Sequence, residues 1–322
     1  MIPVVMGSAC ALPLPRPLVG LLHDEDADRW ATFGRRPCAM DADALRTLEK
    51  PVMVQEMAGE PWPATVTEAC VDVSRRLFRS DPTLTKPDAI IVCQTSVDGD
   101  VPANASSALR LQCEFGLTQN SFSVGSQDGA AFFTALGLAR DLMAVDHQIE
   151  SLLICCAEIW SSDDLPALGD LVAPGNGAVA VLFGRSGPGW RLRALETQSF
   201  TGFGDPAEEP PQGEKLGRYA IAVQNVVERL LVRHAIVREA VSRIAGPNFN
   251  AAVTRAVVAG LALPHAVACE LDHRDAGYLF AADPALRLHD AITAGADGPG
   301  LLLLWGVGLS GSIGAALFEY AG

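Results

Sequence analysis

Between residues 122 and 136 the sequence reads FSVGSQDGAAFFTAL, a strand-like start, a turn of small residues carrying one carboxylate, and an apolar helix. Such a turn sets a side chain at a helix N-terminus, where unpaired N–H groups favour negative charge and can activate a nucleophile. The residues in reach are Ser126, Gln127, Asp128 and Gly129, and none is a thiol. Ser126 would need a base beside it, and the sequence names none. For Asp128, acid–base chemistry competes with a simpler role, capping the helix by accepting its backbone N–H groups. A helix N-terminus would also hold its carboxyl below the usual range, which makes a poor general base near neutrality.

The other chemistry-bearing residues read mostly as structure. Eight cysteines stand at 10, 38, 70, 93, 113, 155, 156 and 269, with no CxxC pair and no zinc spacing. Cys155 and Cys156 lie in an apolar strand pattern and are expected in the core, as small hydrophobes of a reducing, cytoplasmic setting. Glu158 ends that strand and is expected to orient loops. His234 and His289 fall on helix faces, and His23 and His273 sit among acids as surface pairs, so no metal constellation is visible. His265, in LALPHAVA, is the histidine a catalytic role would reach for.

The elements that would position these residues alternate. IPVVMGSACAL, KPDAIIVCQTS, ESLLICCAEIW and GNGAVAVLFG read as strands, and WPATVTEACVDVSRRLFRS as an amphipathic helix. ANASSALRLQCEFG reads as a helix stopped by Gly116. GRYAIAVQNVVERLLVRHAIVREAVSRIAG reads as one long helix, followed by AAVTRAVVAGLAL, DPALRLHDAITAG and a strand, glycine turn and strand in GPGLLLLWGVGLSGSIGAALFEY. The Gly-, Pro- and acid-rich stretch 186–216 is expected to be a connection or surface excursion between halves at 1–185 and 217–322. The chain is an α/β protein with a helix-covered sheet. Strand, glycine turn and strand close both halves, which hints at an internal duplication.

Composition limits the partners. Of 322 residues 49% are hydrophobic and only 6% aromatic, so a large, mainly aliphatic core is expected. A formal charge of −14 argues against nucleic acid or an anionic membrane as the main partner. The arginines at 75, 76 and 79, and at 229, 233, 238 and 243, read as solvated helix faces. The apolar N-terminus lacks a basic region and is broken by prolines, so it is expected to be a first strand rather than a signal peptide. No apolar run reaches the roughly 18 residues of a membrane span.

Along nearly its whole length the sequence resembles the ketoacyl synthase III-like branch of the thiolase superfamily. PDAIIVCQTSVDGDVPANASSALRLQCEFGLTQNSFSVGSQDGAAFFTALGLARDLM is similar to that family's strand, proline-containing loop, helix ending at Leu-Gly, and nucleophile turn. LLICCAEIW resembles its strand ending in Ala-Glu, and APGNGAVAVLFG its Gly-Asp-Gly-Ala loop with Asn176 for Asp. GYLFAADPALRL and LLLLWGVGLSGSIGAALF resemble its late helix entry and closing glycine loop. The resemblance implies a thiolase fold: two pseudo-duplicated halves in a layered α-β-α-β-α architecture.

It also implies a cysteine at the turn that takes an acyl group from a thioester, helped by a histidine, by an asparagine or second histidine, and by an oxyanion hole of N–H groups. Counting forward from Phe122 and Val124 puts the cysteine position at Asp128; counting back from the helix puts it at Gly129, which the helix register favours. Asn248, in GPNFN, matches the histidine position and Tyr278 the later Asn or His; His265 does not keep the interval. Gln127, the replacement seen in related decarboxylating synthases, fits neither register. Gly306 and Gly308 match the oxyanion loop, or form a tight turn between central strands. Trp30 with Arg35 or Arg36, in DRWATFGRRP, resembles the segment that meets the adenine of coenzyme A. With all three catalytic positions substituted, the expectation is a pseudoenzyme with no bound cofactor. It would be a dimer, either with itself or with a related ketosynthase, and an acyl carrier protein is a further possible partner. Alternatives are an acyltransferase or thioester hydrolase on coenzyme A or phosphopantetheine thioesters, using Asp128 or His265, and a module that binds such a ligand without chemistry.

Overall fold

The computed structural model describes residues 2–13, 15–17, 51–53, 56–57, 60–96, 98, 106–118, 120–160, 172, 174–203, 212–269, 276–295 and 300–321. Ten strands among them form one sheet: β1 (Val4–Ala11), β2 (Ala89–Gln94), β3 (Ser121–Gly125), β4 (Ser151–Glu158), β5 (Gly177–Gly184), β6 (Gly189–Ser199), β7 (Val241–Ala245), β8 (Val267–Ala268), β9 (Leu301–Val307) and β10 (Ser312–Ala321). The helices are α1 (Val66–Ser80), α2 (Ser107–Phe115), α3 (Ala131–Val145), α4 (Gln212–Arg233), α5 (Ala251–Leu261) and α6 (Asp283–Thr293). Two short strand pairs, 15–17 with 51–53 and 56–57 with 60–61, lie outside the sheet.

The strand order is β8-β7-β9-β10-β6-β1-β5-β4-β2-β3. Within each set of five, the third strand in the chain lies at the outer edge, then the second, fourth, fifth and first. The fifth, β5 or β10, runs antiparallel to both neighbours. The glycine-turn echo in the sequence is therefore the end of a repeated topology. The two sets join at one corner, where Val4 faces Arg191 and the Leu192 N–H donates to the Pro3 carbonyl at 3.0 Å. The stretch 186–216, expected as a connection, contains β6, so the second set of strands begins at Gly189.

Three apolar clusters define the layers. The first packs α1 and α2 on one face of β2, β4 and β5; the second packs α4 and α5 on one face of β7, β9 and β10. The third lies between the sets and holds α3 and α6 against the inner faces of both. Strands buried on both faces read as unbroken apolar runs: in β4, Leu152, Ile154 and Cys156 point inward while Leu153, Cys155 and Ala157 point to α1 and α2. The mid-layer helix α3 is apolar nearly all round for the same reason.

Helix ends follow local chemistry. The Thr65 hydroxyl accepts the Glu68 N–H at 3.1 Å to start α1, Asn250 caps α5, and Gly116 at φ 64° ends α2. The long helix expected over 217–246 is two elements. It ends at Arg233, Ala235 takes φ 51°, and VSRIA becomes β7, paired with β9, because β-branched Val241 and Ile244 bury themselves in the second sheet set.

Candidate functional site at the helix-entry turn

Strand β3 ends at Gly125, and the chain reaches α3 through Ser126 at φ 59° and Asp128 at φ 47°, both in the left-handed region. L-residues visit that region at a cost, and Asp is among those that tolerate it. A short 3₁₀ turn, Asp128–Ala130, then feeds α3, which has no side-chain cap. The expected capping role of Asp128 is thus corrected. Its carboxylate turns to the other half of the chain and accepts the Leu309 N–H at 2.7 Å, with the Ser310 N–H beside it. The Thr95 hydroxyl, buried and without a partner of ordinary hydrogen-bond geometry among the described residues, also lies close enough to favour its charge. The expected depression of its pKa is corrected too: burial outweighs these donors and pushes the carboxyl above its usual range.

At Gly129 there is no room for a side chain. Its N–H donates to the Tyr278 hydroxyl at 3.2 Å, and that hydroxyl donates onward to the Val307 carbonyl. A Cβ on Gly129 would lie 2.6 Å from both oxygens. The glycine loop opposite is built for the same approach. A Cβ at Gly306 would lie 2.7 Å from the Gly129 carbonyl oxygen, and one at Gly308 2.6 Å from that of Gln127. Main chain packs here directly on main chain. Gln127 itself accepts the Thr134 hydroxyl at 2.5 Å.

The residues expected at the two other family positions, Asn248 and Tyr278, are equally occupied. Asn248 donates its backbone N–H to Asp283 Oδ1 at 2.9 Å and its amide to the Gly277 carbonyl at 2.9 Å, which fixes the segment carrying Tyr278. Asp283 Oδ2 accepts the Leu279 N–H at 3.1 Å, and burial pushes its carboxyl to about 6. Glu158 does orient loops. Oε1 accepts the Thr95 N–H at 2.8 Å and the Ala281 N–H at 3.1 Å, and Oε2 accepts the Ser96 N–H at 2.8 Å. Burial carries it to about 7. The Gly175–Gly177 loop closes over the same segment: the Gly175 N–H donates to the Tyr278 carbonyl at 3.0 Å, and Asn176 accepts the Trp160 N–H at 2.8 Å.

A continuous file of rings fills the space around Tyr278. Centroids run from Phe203 to Tyr219 at 4.7 Å, Tyr219 to Phe249 at 5.1 Å, Phe249 to Tyr278 at 5.3 Å, Tyr278 to Phe280 at 4.8 Å, and Phe280 to Trp160 at 4.9 Å. The Tyr219 hydroxyl donates to the Leu309 carbonyl at 2.8 Å, so Asp128 and Tyr219 grip the same residue. A chain poor in aromatics thus concentrates six of them here, which the sequence did not reveal because they come from five separate segments. Asp283, Tyr219 and Thr95 were likewise missed; only Asp-Pro at a helix start marked one of them.

The remaining candidates stay apart. His265 is exposed in the turn before β8, and His234 is exposed after α4. His289 Nδ1 shares a 2.9 Å hydrogen bond with the Ser8 hydroxyl. Cys155 and Cys156 are fully buried. Trp30, Arg35, Arg36, His23 and His273 lie outside the described residues.

Strand order, layering and the strained strand-to-helix turn define a thiolase-type fold. No family model and no curated protein matches the sequence. Among solved structures, the 3-oxoacyl-(acyl carrier protein) synthase III (FabH) of Pseudomonas aeruginosa PAO1 aligns over 100% of this chain and 99% of its own, with 20% identity and a TM-score of 0.71. ChlB3, described as an acyltransferase, aligns over 99% and 98% with 18% identity and a TM-score of 0.73. The tetronic acid condensing enzyme AbyA1 aligns over 99% and 100% with 15% identity and a TM-score of 0.74. The chain has the ketoacyl synthase III form of that fold across its whole length. No helix of the described residues is long and apolar enough to cross a membrane.

Proposed function

We propose that this chain is a ketoacyl synthase III-like protein without condensing chemistry, acting as the structural partner of an active ketosynthase or acyltransferase in fatty-acid-like or polyketide biosynthesis. The observation that carries the reading is that the turn is closed by the chain's own groups. Asp128 covers the Leu309 N–H, Tyr278 covers the Gly129 N–H, and aromatic rings fill the surrounding space. N–H groups bonded in this way do not serve an oxyanion, and no thiol stands at the turn to form an acyl-enzyme. On this reading Asp128 holds the position of the condensing cysteine, Asn248 that of the histidine, and Tyr278 that of the later Asn or His. Gly306 and Gly308 keep the glycine loop for packing. An association edge to edge is supported by β3, which ends the sheet, and by Leu109 and Leu138, exposed by 45% and 39% on the flanking helices. Buried free thiols suit a reducing cytoplasm.

The test is intact-mass spectrometry after incubation with acyl-coenzyme A thioesters of several lengths, with and without a ketoacyl synthase III from the same host. No adduct is expected on this chain, and an acyl adduct is expected on a co-purifying partner. An adduct here would overturn the reading. A second reading, an acyltransferase or thioester hydrolase acting on coenzyme A or carrier-bound thioesters, draws on the raised proton affinity of Asp128, which brings it closer to a useful base. It requires thioester turnover that Asp128→Asn abolishes without changing the fold.

A further inference from the structure

A hydroxyl–imidazole pair lies outside the helix-entry turn. Ser8 on β1 and His289 on α6 are separated by 281 positions in the sequence, and Ser8 Oγ stands 2.9 Å from His289 Nδ1. Both residues are half-buried, so a small molecule in solution reaches them. With the ring proton on Nε2, Nδ1 accepts the bond from the hydroxyl, which is the arrangement of a nucleophile beside its base.

The strand supplies donors as well. β1 pairs with β5 from Val4 to Ala11 but with β6 only at Val4, so beyond the corner alternate backbone N–H groups point away from any strand partner among the described residues. Such N–H groups are the kind of donor that holds a developing oxyanion. Cys10, two residues along β1 and therefore on the face of Ser8, is not a competing nucleophile. Burial, and after it the charge of Asp290, pushes its thiol up to about 11. Asp290 is itself bound to Arg287 at 2.6 Å, so the imidazole works without that carboxylate behind it.

We propose that Ser8 and His289 form a separate hydrolytic site for short-chain carboxylic esters of alcohols. Ser8 Oγ bonds to the carbonyl carbon while its proton passes to Nδ1. The bond from that carbon to the alcohol oxygen then breaks, and the imidazolium returns the proton to the leaving alkoxide. Water, deprotonated by the same nitrogen, attacks the acyl-serine, releases the acid and restores the hydroxyl. An alkoxide needs the returned proton whereas a thiolate leaves without it, so oxygen esters gain most from the imidazole. A half-buried position at a strand edge suits a short acyl group. The pair uses no residue of the helix-entry turn and would act in a partner subunit and in an enzyme alike.

The same contact ties α6 to β1, and the test has to separate a tie from a base. The whole chain is incubated with an alkyl fluorophosphonate, from whose phosphorus Ser8 Oγ displaces fluoride, the proton leaving as hydrogen fluoride, and the adduct is located by peptide mapping. Wild type should be labelled at Ser8. His289→Gln keeps an acceptor for the hydroxyl but no base, and its labelling should be about a hundredfold slower; Ser8→Ala should take no label in that peptide. Hydrolysis of p-nitrophenyl acetate should fall in the same order. No adduct at Ser8, or an equal rate in His289→Gln, would overturn the site. Should His289→Gln fail to fold, the wild type decides by itself: labelling of Ser8 about a hundredfold faster than of the exposed Ser80 supports the proposal, and equal labelling refutes it. Mapping to Ser8 with a phosphorus reagent keeps this result apart from the thioester experiment, which reports on the helix-entry turn.

Discussion

Gly129→Cys is expected to leave no folded protein, whereas Asp128→Cys folds and carries a free thiol at the turn. The reason is distance. A Cβ at 129 would stand 2.6 Å from the Val307 carbonyl oxygen and from the Tyr278 hydroxyl. The first belongs to a central strand and the second is tied to that same carbonyl. Overpacking costs about 1–3 kcal/mol where neighbours can yield. Here neither can, and the cost should exceed about 5 kcal/mol, the lower end of a whole domain's stability. Asp128→Cys loses the bond to Leu309, about 1–3 kcal/mol, and keeps a left-handed residue at roughly 1 kcal/mol. Soluble yield, urea midpoint and peptide-mapped alkylation would separate the two variants. A folded Gly129→Cys with a reactive thiol at 129 would show that the turn accepts the nucleophile one residue later than the geometry allows.

That contrast also shows where sequence stops being informative. The strands of the first set and β9 and β10 of the second were visible as apolar runs, and the turn as small residues before an apolar helix, because these are local patterns. Three strands were not: β8 is two residues long, β7 continues the helical period of α4, and β6 is hidden by its glycine- and proline-rich flanks and by Glu196, which interrupts the inward alternation of Trp190, Leu192 and Ala194. Glu196 is tolerated because Arg229 and Arg233 reach it at 3.0 Å from α4. The chemistry of the turn depends on partners far away in the chain. Asp128 is separated from Leu309 by 181 positions, and Gly129 from Tyr278 by 149. Local reasoning saw a carboxylate at a helix N-terminus, hence a cap with lowered proton affinity. Packing of the second half against the turn reversed both expectations, since burial outweighs the helix field. Glu158 was read correctly because its role, accepting N–H groups at a strand end, is nearly local on one side, although Ala281 is 123 positions away.

Truncation of Tyr278 should have the other large effect, and it divides the closure of the site into two parts. Tyr278→Phe keeps the ring between Phe249 and Phe280 and removes only the hydroxyl, leaving the Gly129 N–H and Val307 carbonyl to find other partners. That should cost about 1–3 kcal/mol. Tyr278→Ala adds an empty space in the aromatic file and should cost a further 3–5 kcal/mol or so, read as a fall in urea midpoint. Placed on Asp128→Cys, the same pair asks what closes the turn. If the ring excludes substrate, Asp128→Cys alone stays unmodified by short acyl-coenzyme A thioesters, the added Tyr278→Phe changes little, and the added Tyr278→Ala permits an acyl adduct on the new thiol. If the hydroxyl matters because it occupies the Gly129 N–H, the Phe variant already acquires the adduct. Acylation of Asp128→Cys with Tyr278 intact would mean that the aromatic file closes nothing. On the proposed function, the absence of a thiol at the turn would then suffice to explain an absence of condensing chemistry.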